Sequence, residues 1–140
     1  MANRWLNQFP LTFEKVVVHP CAKVSIGATG APTLSASNSK GVLSVSRLAT
    51  GRYKFIFGSS PNGATQLDTY VKVLGINAVF DTSGNSNAAP VSPIPYIYDN
   101  AISSSAYVTV QFVDYAGSAA DPANGEIMYI DFVFGNSTAP

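Results

Sequence analysis

His19-Pro20-Cys21 sets the chain's one histidine two residues from its one cysteine. An imidazole and a thiol can bind a transition metal or run nucleophilic chemistry near neutral pH. The rest of either device is missing. A closed zinc site takes about four ligands, and the Cys and His repeats that supply them are absent. A thiolate–imidazole pair needs a third group to orient the base, and the sequence indicates none. The plainer roles are a histidine at a strand end and a buried cysteine. Gly27-Ala-Thr-Gly30 lacks the lysine of a phosphate-binding loop and the helix that should follow it. The aspartates Asp68, Asp81, Asp99, Asp114, Asp121 and Asp131 are scattered. Asp114 and Asp131 fall in predicted strands, where neighbouring carboxyl groups would resemble a glycosidase pair; solvent-facing residues, or the cap of a bulge, are simpler roles. Asp121 to Glu126 is acidic at both ends but lacks the ligand repeat of a calcium loop. Asp68 beside Lys72, and Arg52 near Lys54, read as surface decoration. The sequence predicts no enzyme, no metal and no cofactor.

The elements that position these residues are strands. Ser39 to Gly58, SKGVLSVSRLATGRYKFIFG, reads as a hairpin. Val42, Leu43, Val45 and Leu48 supply the apolar content of its first strand. Tyr53, Phe55 and Phe57 alternate with Arg52, Lys54 and Ile56 in the second, the period of two that a half-buried strand requires. Gly51 in Ala49-Thr50-Gly51 permits the positive φ of a tight turn. Thr12 to His19 predicts a strand that Pro20 stops or marks as an edge, and β character resumes from Ala22 to Ile26. Gln66 to Asp81 is a long β-like run, with Gly75 signalling a bulge, a bend or a break into two strands. Thr82 to Pro95 is a stiff proline-bearing loop, and Ile94 to Tyr98 a short strand near its end. In Ala106 to Tyr115, Val108, Val110 and Phe112 face one way and Thr109 and Gln111 the other. Glu126 to Phe134 closes the chain with Met128, Ile130, Phe132 and Phe134 on one face. No segment has helical periodicity and no internal repeat is visible. The expectation is an all-β, single-domain antiparallel β-sandwich of about eight strands, of jelly-roll type. Its parts are an N-terminal arm (1–11), the sandwich (12–135) and a C-terminal tail (136–140).

Composition narrows the function classes. The chain has 140 residues, long enough for one domain with a core. Charged residues make up 11%, less than half the usual roughly 25%. Eight Lys and Arg balance eight Asp and Glu, so neither net charge nor a basic cluster points to nucleic acid. Low net charge weakens repulsion between copies and favours assembly, so a homodimer is expected. The single cysteine rules out an intrachain disulfide. No secretory leader and no run of about 18 apolar residues is present, which predicts synthesis in a cytoplasm and no membrane partner. The leader, with Arg4, Trp5, Phe9 and Leu11 ahead of Thr12, is unusually rich in interface anchors. It reads either as an arm that docks on a partner or as a strap along its own domain.

The leader MANRWLNQFPLTFEKVVV and the core SKGVLSVSRLATGRYKFIFG resemble tailed-phage head decoration (cement) proteins of the jelly-roll kind, over about a quarter of the chain. The small β-rich chain with few charges, little Cys and His and many Ala, Gly, Ser and Thr fits the same family. The resemblance implies a non-enzymatic virion structural protein on the capsid exterior. It would tie neighbouring major capsid subunits together and could act as a dimer. Cementing uses surfaces, so no functional residue carries over. The alternative is a carbohydrate- or receptor-binding β-sandwich module of a phage particle, with Tyr96, Tyr98, Tyr107 and Tyr115 as a platform.

Overall fold

Tyr53, Phe55 and Phe57 are completely buried, while Arg52, Lys54 and Ile56 between them are partly exposed. That alternation fixes one strand's inner face, and the rest of the fold is built to cover it. A computed structural model describes residues 17–59, 66–84 and 93–135. The arm, residues 12–16 and the tail lie outside the described residues. The strands are β1 (Val17–Val18), β2 (Cys21–Ile26), β3 (Pro32–Leu34), β4 (Val42–Ala49), β5 (Arg52–Ser59), β6 (Gln66–Leu67), β7 (Lys72–Asp81), β8 (Ile94–Ala101), β9 (Tyr107–Val113) and β10 (Ile127–Gly135). Eight of the ten have three residues or more. Helix is limited to two single 3₁₀ turns among the described residues.

All pairings are antiparallel and form two sheets. The first runs β7–β10–β2–β3, with β1 also beside β10. Pro20 interrupts β1 and β2 without ending the ladder, because its carbonyl still accepts Phe132 N–H at 2.9 Å. The second runs β4–β5–β9–β8, with β6 on β5. The chain is an all-β sandwich. Of the nested pairs of a jelly roll, this order keeps first with last, β2 with β10. Its other neighbours include the sequential pairs β2–β3, β4–β5 and β8–β9.

The core lies between the sheets. Phe55 and Phe57 from β5 meet Phe132 and Phe134 from β10 edge-on, with centroids 4.8–5.2 Å apart. Such pairs add roughly 0.5–1.5 kcal/mol each to their burial. Met128 and Ile130 continue the inner face of β10, and Val108, Val110 and Phe112 that of β9. Gly51 turns β4 into β5 with φ +67°, and a Cβ there would lie 2.5 Å from the Phe112 carbonyl oxygen. The hairpin turn therefore requires glycine for both conformation and space.

The long run from Gln66 splits into β6 and β7. Beside Gly75 the ladder to β10 slips, leaving Leu74 as an extra, bulged residue. The proline-bearing loop ends sooner than expected, since Ile94 and Pro95 already belong to β8, which extends to Ala101. Residues 85–92 of that loop lie outside the described residues. No helix among the described residues is long and apolar enough to cross a membrane.

Candidate docking surface

Of the residues first suspected of chemistry, His19, Cys21 and Asp131 come together and Asp114 stands elsewhere. His19 and Cys21 flank Pro20 on the outer side of the first sheet. His19 Nδ1 lies 3.7 Å from Asp131 Oδ2, both side chains exposed. Cys21 is the cross-strand partner of Asp131 and is partly exposed, not buried as expected, because its strand turns it outward. A shallow depression of about 200 Å³ runs past Cys21, Lys23, Tyr129 and Asp131. Among the described residues no group of three His, Cys, Asp or Glu is placed to hold a metal ion. Asp114 belongs to the turn that leaves β9. Its Oδ1 accepts the N–H groups of Ala116 and Ser118, each at 2.9 Å. Asp114 and Asp131 thus serve separate partners in different sheets.

Asp121 does something the sequence did not announce. One oxygen accepts Arg47 Nε at 3.0 Å, Gly51 N–H at 2.7 Å and Tyr53 Oη–H at 3.1 Å. The other accepts Arg47 Nη2 at 2.7 Å. The single Tyr53 Oη–H is shared with the Gly30 carbonyl, at 2.8 Å the shorter of its two contacts. Burial alone would raise the Asp121 carboxyl; the hydrogen bonds from Arg47, Gly51 and Tyr53 and the Arg47 charge outweigh it and hold the pKa below the usual carboxylate value. This knot ties β4, β5, the 28–30 turn and the loop before β10 into one end of the sandwich. The only hint in the sequence was the turn pair Asp121-Pro122.

The outer face of the second sheet is different. Arg52, Gln111 and Tyr96 lie in one row across β5, β9 and β8, and Lys54, Thr109 and Asp99 in the next. Thr109 and Gln111 do point outward, yet they are only 2% and 3% exposed. Long neighbours cover them. The Arg52 guanidinium lies 3.6 Å from the Tyr98 ring centroid, and Lys54 Nζ lies 4.0 Å from that of Tyr107. Arg52 and Lys54 are therefore not loose decoration but cations seated on aromatic rings. Tyr107 Oη–H donates to Asp99 at 2.9 Å. That bond and the Asp99 charge push the Tyr107 phenol up.

Tyr98 reaches this position through a bulge, because the β8–β9 ladder slips between Ile97 and Asp99. The β4–β5 ladder slips likewise at Leu48. Bulges re-aim a side chain, and Leu48 and Tyr98 are 55% and 53% exposed. Ile94 and Tyr96 complete an apolar, aromatic surface around the two cations. The open edge of β8 is blunted. Phe112 N–H bonds Gly51, so its cross-strand partner Pro95 makes no bond to β9 and turns its donorless nitrogen to the edge. The face, not the edge, is the contact surface on offer.

Of the suspected platform, Tyr96, Tyr98 and Tyr107 come together here. Tyr115 stands on the turn beyond β9, 94% exposed. Arg4, Trp5, Phe9 and Leu11 lie outside the described residues. Comparison with family models, with curated proteins and with solved structures finds no match.

Proposed function

We propose that the protein is a non-enzymatic virion structural protein that decorates the outer surface of a tailed-phage capsid. It cements the shell by bridging neighbouring major capsid subunits. The observation that carries this is the outer face of β4–β5–β9–β8, where Tyr96, Tyr98 and Tyr107 surround Arg52 and Lys54 beside exposed aliphatic groups and one carboxylate. Tyr and Arg are over-represented among the residues that dominate protein interfaces. The resemblance of the leader and the central hairpin to head decoration proteins supplies the kind of partner. A molecule that binds the assembled shell, and not its separated subunits, stabilises it by mass action. Repetition around the shell multiplies a modest contact.

The aromatic face favours a protein over a sugar. A sugar platform needs free ring faces, and one face each of Tyr98 and Tyr107 is taken by a cation. In this reading the leader, with Arg4, Trp5, Phe9 and Leu11, supplies a second contact, and two copies act as a dimer. The test is co-sedimentation with undecorated, expanded shells of a tailed-phage major capsid protein. Wild-type protein is expected to sediment with the shells and to raise their melting temperature. Protein lacking residues 1–11 is expected to fold with an unchanged melt and to bind more weakly. A protein that stays in the supernatant, or binds a glycan array instead, defeats the proposal.

A further inference from the structure

Arg52 is held by a buried support. Gln111 donates from Nε2 to the carbonyls of Thr50 and Phe112, at 3.2 and 3.1 Å. Those two bonds fix which way its amide points, leaving Oε1 to accept Arg52 Nε at 3.1 Å. The Tyr98 ring supports the guanidinium from one side. Arg52 is thus pinned by its Nε and its flat face, and its terminal nitrogens remain. Among the described residues the ion pairs are His19–Asp131 and Arg47–Asp121, and neither Arg52 nor Lys54 takes part in one. Arg52 and Lys54 are two residues apart on one strand, which sets their backbone positions about 7 Å apart on a single face.

We infer that Arg52 is a preorganised receptor for a carboxylate, with Lys54 as a second cationic contact, and that the partner surface docking here is acidic protein. The guanidinium fork matches a carboxylate with two parallel bonds. Ordering a long side chain before binding removes part of the entropy cost of association. Leu48 and Tyr96 at the rim fit apolar protein side chains beside those carboxylates. This deepens the cement reading, and rests on it, by naming the chemistry that the shell should present.

Two measurements keep the inference and that reading separable. In the shell assay, Arg52→Gln is expected to weaken binding roughly tenfold, the loss of one charge-assisted contact. Arg52→Lys should restore only part of it, and added salt should weaken the wild type more than Arg52→Gln. In the second, the Arg52 Nε–Hε resonance is followed by NMR while poly-L-glutamate or, separately, heparin is added. A saturable shift with poly-L-glutamate, larger at Arg52 than at Arg47 and reduced in Tyr98→Leu, supports the inference. If wild-type protein ignores the shells, the cement reading fails and the NMR titration alone decides. The inference is overturned if shells bind Arg52→Gln as tightly as wild type. It is equally overturned if poly-L-glutamate leaves Arg52 unmoved or if only heparin shifts it.

Discussion

Arg47 and Arg52 stand five residues apart, on the two strands of one hairpin, and face opposite ways. Arg47 points to the inner side, where Asp121 takes both Nε and Nη2. Arg52 points outward, where among the described residues it finds an amide oxygen and an aromatic ring but no carboxylate. Strand alternation explains the difference. Arg47 is the cross-strand partner of buried Tyr53 and shares its inner side, whereas Arg52 is the residue next to Tyr53 and takes the other face. A charge placed inward must be met by a charge, because leaving it without a partner costs several times what the pair contributes. A charge placed outward can remain unpaired in water at little cost. One arginine closes the end of the sandwich; the other is left for a partner.

The largest expected effect that tests this contrast is on the inner side. Asp121→Ala removes the acceptor for Arg47, the Gly51 N–H and Tyr53 at once. It should cost about 2–3 kcal/mol, a fall of roughly 6–15 °C in the melting temperature. A melt within a degree of wild type would show that the knot is not what closes this end. Tyr53→Phe is the milder probe. The ring still fills its place beside Phe112, 5.6 Å between centroids, but the buried Gly30 carbonyl loses its donor. About 1 kcal/mol should be lost, roughly 3–5 °C.

Titration reaches the same knot without mutation. The folded pKa of Asp121 is depressed, so its contribution is complete above the unfolded value near 3.9 and is lost as pH falls below it. Wild-type melting temperature should drop below about pH 4, and Asp121→Asn should lose part of that dependence. At the alkaline end, burial first and the Asp121 charge second push the Tyr53 phenol far up. Its contribution is complete below the ordinary tyrosine value near 10 and is lost as pH rises past it. Ultraviolet titration should find one tyrosine that ionises only with unfolding. That phase should vanish in Tyr53→Phe.

How much of this was legible follows from the range of each signal. Tyr53, Phe55 and Phe57, and Met128 through Phe134, announce their buried face because alternation is written within one strand. Gly75 signalled a bulge, a bend or a break within one strand, and the ladder shows the bulge. The burial of Thr109 and Gln111 was not, because side chains from β5 and β8 cover them and no feature of β9 alone says so. Arg52 and Lys54 read as loose charges until β8 brought Tyr98 alongside and β9 supplied Tyr107. Asp121 looked like one scattered aspartate, since its partners Arg47, Gly51 and Tyr53 are some 70 residues away in sequence. Pairwise chemistry between distant segments is set by strand order, which periodicity does not encode. The jelly-roll nesting expected beyond the sandwich depends on strand order in the same way, and the ladders do not confirm it.

The smallest expected effect is the one that most sharpens the comparison. Arg52→Gln keeps a polar side chain of similar reach and removes the charge. If Arg52 served the fold as Arg47 does, the melt would fall by several degrees. The structure argues otherwise. Among the described residues Arg52 has no carboxylate to leave unpaired. Gln111 keeps its own bonds to Thr50 and Phe112, and a glutamine at 52 carries its Nε2 as far from Cα as the arginine Nε, so it can donate to Gln111 Oε1 in its place. The lost contact with the Tyr98 face is half-exposed and worth about 0.5–1 kcal/mol at most. Removing a cation whose charge the fold does not neutralise offsets part of that. The expected change in stability is within about 0.5 kcal/mol, the range of ordinary surface substitutions. Thermal melts of Arg52→Gln and Arg47→Gln, measured side by side, decide it. A large fall for Arg47→Gln and almost none for Arg52→Gln separates the two arginines as drawn here. Equal falls would make Arg52 a structural residue and remove the reason for assigning it to a partner.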